Sequence, residues 1–106
     1  MGILTSQMRL AEIRNYRHDL EYQLQLVSST KLDLSSQLNS IIGLASDMDP
    51  DSPEMKALEK KKERLSQVEK ALDAQMQRYQ TQLQMIDSEE QSVKQQLQND
   101  IQRAYA

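Results

Sequence analysis

Between residues 47 and 53 the chain reads Asp47-Met48-Asp49-Pro50-Asp51-Ser52-Pro53, and no continuous helix can run through it. Two prolines three apart each remove a backbone donor, and Pro50 disfavours helical geometry at Asp49 before it. Ser52-Pro53-Glu54 then has the makings of a helix start. Ser52 is suited to cap, Pro53 sits at the first helical position where no donor is missed, and Glu54 faces the positive end of the helix dipole. A connection this short between two helices returns the second antiparallel to the first.

On the N-terminal side of the turn the apolar residues keep a heptad. Alternating steps of three and four from Ile3 meet Ser6, Leu10, Ile13, Arg17, Leu20, Leu24, Val27, Lys31, Leu34, Leu38, Ile41, Ala45 and Met48 without a change of phase. Only Ser6, Arg17 and Lys31 in that series are not apolar, so it reads as the a/d seam of a coiled coil. Arg17 and Lys31 on such a seam are determinants of register or oligomeric state. The predicted first helix covers about residues 4–46, roughly 65 Å at the helical rise.

On the other side a second helix is predicted over about residues 53–103. Its seam reads Leu58, Lys61, Leu65, Val68 and Leu72. After an extra step of four it resumes as Met76, Tyr79, Leu83, Ile86, Glu90, Val93 and Leu97. The step between Leu72 and Met76 reads as a stutter, which would locally unwind a left-handed supercoil. The expected fold is all-α: a single domain forming a long antiparallel two-helix hairpin with coiled-coil packing.

A further stripe lies away from that seam. Leu4, Met8, Ala11, Tyr22 and Leu26 fall at the outer heptad positions of the first helix, with Asn15 and His18 continuing the line. Apolar residues there gain nothing from the hairpin, so they mark a surface for a neighbour. Two helices alone also bury little area against their ordering entropy. Both considerations predict assembly into a larger bundle or filament, or a stable partner.

Composition narrows the function classes. The 106 residues contain four aromatics (all Tyr), two Gly, no Cys and fifteen Gln, which suits helices burying one narrow stripe rather than a thick core. The net charge of -3 offers no field to attract nucleic acid, and four carboxylates with no base lie between residues 47 and 54. Without cysteine there are no disulfides or thiolate metal sites. No run of 18 apolar residues predicts a membrane span, and no basic segment followed by an apolar one predicts a cleaved signal peptide, so a soluble chain, cytoplasmic or exported without a leader, is expected.

Candidate chemistry is thin. Asp47, Asp49 and Asp51 match the opening ligand positions of an EF-hand loop, but Ser52 stands where glycine is needed and Leu58 where the bidentate glutamate belongs. An acidic, helix-capping turn accounts for them better. Met1-Gly2-Ile3-Leu4-Thr5-Ser6 fits the sparse myristoylation pattern, and a coincidental match accounts for it better. His18 has no second His or Cys to complete a metal site. Lys60, Lys61, Lys62 and Arg64 are interleaved with Glu59 and Glu63, which is a solvated helix face and not a phosphate track. No nucleophile–base set or Gly-rich phosphate loop occurs, so neither enzymatic activity, nor a cofactor, nor a small-molecule substrate is expected.

Two helices joined by Pro50-Asp51-Ser52-Pro53 resemble the subunits of type III secretion needles, small leaderless hairpins with a Pro-x-x-Pro turn. The resemblance covers the turn and roughly forty residues after it, with Pro50 and Pro53 carried over as turn formers. It implies a secretion-related subunit that stacks with its own copies into a filament. This chain departs from that family in its greater length and its more regular heptads. The alternative expectation is a cytosolic adaptor or export chaperone whose outer stripe docks a partner helix.

Overall fold

The computed structural model describes residues 2–105. Among them the order is α1 (Ile3–Ala45) and α2 (Pro53–Ala104), with no strand. The two helices pack against each other as an antiparallel hairpin, and their ends fall within a residue of the sequence expectation.

The turn is built by backbone and short side chains together. α1 closes as Ser46 Oγ donates to the Gly43 carbonyl at 2.8 Å, and the Met48 N–H reaches back to Ala45. Asp49 then organises the reversal: its Oδ1 accepts the Asp51 N–H at 3.1 Å, and its carbonyl accepts both the N–H and the hydroxyl of Ser52. Ser52 Oγ in turn accepts the Met55 N–H at 3.1 Å, capping the second helix three residues in. Pro53 opens α2, where its missing N–H would have been an orphan in any case.

The chain divides into two compact units. One joins the residues up to Leu24 with those from Arg78 onward. Its core is Leu10, Ile13, Leu20, Ile86 and Val93, with Tyr79, Leu83 and Leu97 packed on it. The other, Gln25–Gln77, contains the turn, and Val27, Leu34 and Ile41 are buried in it.

Burial along α1 follows the heptad: every seam position from Ile3 onward is buried or half-buried, and elsewhere on the helix only Ser28 is comparably shielded. On α2 the pattern differs from the sequence expectation near the turn. Val68 is 46% exposed and Lys61 is exposed, while Glu69 is half-buried. The shielded positions that keep one phase run Met55, Leu58, Leu65, Glu69, Leu72, Met76, Tyr79, Leu83, Ile86, Glu90, Val93, Leu97 and Asp100, with half-buried Ser66, Gln75, Glu89 and Gln96 beside them. Counting exposed Lys62 between Leu58 and Leu65 by phase alone, this is an unbroken alternation of three and four, so there is no stutter between Leu72 and Met76. Val68 and Lys61 are therefore not seam residues. The physical reason is that helix phase, set over many turns, outweighs the polarity of one position: keeping phase places the stem of Glu69 on the seam and leaves the neighbouring valine outside.

Three consequences are measurable by chemical denaturation at dilutions where the chain is monomeric. Leu72→Ala should lower stability by about 2–3 kcal/mol, within the usual range for a shielded leucine. Val68→Ala should change it by less than about 0.5 kcal/mol, since an exposed valine contributes little packing and alanine is the better helix former. Removing the cap with Ser52→Ala should cost about 1 kcal/mol, because the Met55 N–H loses its acceptor.

Candidate assembly surface

Hairpin geometry sorts the sequence's candidate residues into two sets. Leu20, Val27, Leu34, Ile41 and Ile86 are buried, while Leu24, Leu38, Leu65, Leu72, Tyr79 and Leu83 are half-buried. These line the contact between the helices. Leu4, Met8, Ala11, Tyr22 and Leu26 are all exposed. Pro50 and Pro53 stand in the turn and at the start of α2.

The polar residues of the seam pair across it. In the first unit Arg17 sends its Nε toward Asp87 at 3.1 Å and another guanidinium nitrogen to Glu90. Glu90 is buried, and Lys94 one turn later reaches its other oxygen at 2.9 Å. Alongside, Arg9 bridges to Glu89. In the second unit Lys31 pairs with Asp73. Each basic residue that interrupts the apolar series of α1 thus meets acid supplied by α2. Sliding one helix by a heptad would leave Glu90 without Arg17, and a desolvated carboxylate with a partner removed is costly. The ion pairs hold the register that the apolar series alone would leave ambiguous.

Outside the seam, the first unit presents Leu4 71% exposed, Met8 60% and Tyr22 60%. They share the side of α1 opposite the seam with Ala11, Asn15 and His18, whose Nδ1 lies 3.8 Å from Glu21. In the second unit Leu26 is joined by exposed Leu32, Ile42 and Leu44. Leu32, missed in the sequence reading, sits at the same heptad position as Leu4 and Ala11 and was open to the same counting. Ile42 and Leu44 flank the seam on opposite sides, and only the packed pair of helices shows that α2 fails to cover them.

The acidic turn has other work. Asp49 is committed to the Asp51 N–H, and among the described residues no three His, Cys, Asp or Glu side chains converge as metal ligands would. Nor is any described helix long and apolar enough to cross a membrane. Comparison of the chain with protein-family models, with curated proteins and with solved structures finds no match.

The register role of the Arg17–Glu90 pair can be read from a double-mutant cycle. Arg17→Leu alone should destabilise the hairpin by about 3 kcal/mol, because Glu90 stays buried with one partner fewer. Arg17→Leu with Glu90→Leu should recover most or all of that loss, as an apolar pair substitutes for the ions. A pair of spin labels across the helices should then show more than one register in the double variant and a single one in the parent.

Proposed function

We propose that this chain is a non-enzymatic structural subunit that self-associates through the outer face of α1 into a bundle or filament. The observation that carries the reading is the exposure of Leu4, Met8 and Tyr22 on the side of α1 turned away from α2. Large apolar side chains spaced along one helix face bury about 1.5–3 kcal/mol each in a well-packed contact. Three or four of them are enough to offset a substantial part of the entropic cost of association. Nothing inside the hairpin uses them, so their stabilisation is available only to a neighbour. The likeness of the Pro50-to-Pro53 turn to that of needle subunits favours a filament, and export, over a closed bundle.

Sedimentation velocity and negative-stain microscopy of the pure chain test this. Large assemblies or filaments are expected for the parent, and Met8→Lys with Tyr22→Lys should reduce them to small species with unchanged far-UV circular dichroism. A parent chain that stays small at high concentration would favour instead an adaptor whose stripe docks another protein's helix.

A further inference from the structure

The two units of the hairpin are closed by different means. In the first, both helices contribute buried side chains: Leu10, Ile13 and Leu20 from α1, Ile86 and Val93 from α2. Ion pairs from Arg9 and Arg17 to Glu89, Asp87 and Glu90 flank that core. In the second, Val27, Leu34 and Ile41 of α1 are buried, but no described residue of α2 is. Among the described residues no ion pair joins the helices between Leu32 and Leu72. Near the turn Ile41 and Leu58 line a groove on each side of the seam, of about 350 and 280 Å³, one bordered by Ile42 and the other by Leu44. The seam there is a single row of side chains, open to solvent along both flanks.

α1 is also poorly supported by its own residues in this unit. Half of the sixteen residues from 28 to 43 are Ser, Thr, Asn or Gly, which are weak helix formers, whereas between 54 and 77 only Ser66 is of these types. Thr30 and Ser40 turn their hydroxyls back onto the carbonyls of Leu26 and Ser36 at 2.8 and 3.0 Å, bonds that slightly destabilise a helix. Gly43 has open space where a Cβ would stand, so packing does not require glycine there. A segment of this length and composition is not a stable helix alone in water, and here it owes its helix to α2. The hydrogen bonds of the turn fall within residues 42–56 and do not clamp the helices beyond it.

We propose that the turn-proximal part of α1 is a built-in opening segment. Residues 32–45 leave α2 and lose their helix while the core of Leu10, Ile13, Leu20, Ile86 and Val93 stays closed. Opening free energies vary along a chain in this way, and they are low where buried apolar contacts are few. The segment gives up the burial of Leu34, Leu38 and Ile41, against α2 residues that are at most half-buried, and breaks no ion pair among the described residues. Opening bares Leu34 and Ile41 together with Leu58 and Leu65, an apolar line that the closed hairpin covers, without unfolding the first unit. The turn half is thus the adaptable part of the molecule, whether or not the outer face of α1 self-associates.

Native-state hydrogen exchange, followed residue by residue by NMR, tests this on the full chain carrying Met8→Lys and Tyr22→Lys, so that assembly lends no protection. After correction for intrinsic rates, the amides of residues 34–43 should exchange at least about 100-fold faster than those of 13–20 and 86–93. Ile13→Val should speed exchange at 13–20 and 86–93 about fivefold and alter it at 34–43 less than about twofold, because opening the segment leaves Ile13 packed. The exposed substitutions Ser36→Ala, Asn39→Ala and Gly43→Ala together should slow exchange at 34–43 at least about tenfold, by restoring helix propensity. Equal protection in the two units overturns the proposal. So does an Ile13→Val effect that spreads equally to 34–43, which would mean that the hairpin opens as one piece. A triple variant whose exchange at 34–43 is unchanged also counts against it, since local helix weakness would then not set the opening.

Discussion

Everything in this molecule depends on the meeting of two narrow apolar stripes. Each helix offers one shielded line of side chains, and within the hairpin that line is buried only against the other helix. Ile13, Leu20, Val27, Leu34 and Ile41 recur at intervals of seven along α1, and α2 answers with a series of the same period. A period of seven on helices of 3.6 residues per turn keeps the two lines in contact over many turns. The turn makes the encounter intramolecular, and the Asp49 and Ser52 hydrogen bonds hold it closed.

Such a seam is stabilising but repetitive, and repetition is its weakness. A stripe of leucines shifted by one heptad buries nearly the same area. Arg17, Glu90 and Lys31 break the equivalence. Ion pairs of this kind are poor sources of net stability, because desolvation consumes much of the Coulombic gain. Their use lies in the less favourable state of other alignments, in which buried Glu90 keeps Lys94 but loses Arg17. The flanking pairs, Arg9 with Glu89 and Arg17 with Asp87, sit on either side of the seam and reinforce the same alignment.

Because the core is one layer of side chains thick, much apolar surface stays outside it. Leu4, Met8 and Tyr22 on one side of α1, and Leu44 and Val68 near the turn, receive no cover from the hairpin. In a thicker domain a third element would lie over such residues. Our proposal is that neighbouring molecules supply that cover here.

The sequence by itself determined the helical class, the place of the turn, its capping by Ser52 and the whole seam of α1, since these follow from proline stereochemistry, side-chain capping and a heptad that never changes phase. It also placed the outer stripe Leu4, Met8, Ala11, Tyr22 and Leu26, because positions across a helix from its seam follow from the same period. The phase of α2 near the turn was a different matter. Val68 and Glu69 are adjacent, and hydrophobicity alone chooses the valine. Only the packed hairpin shows Glu69 half-buried and Val68 outside, because the heptad phase kept with Leu65 and Leu72 places position 69 and not 68 against α1. Which acids meet Arg17 and Lys31 was likewise decided by tertiary structure, since partners distant in sequence are set by register between helices and not by spacing within one.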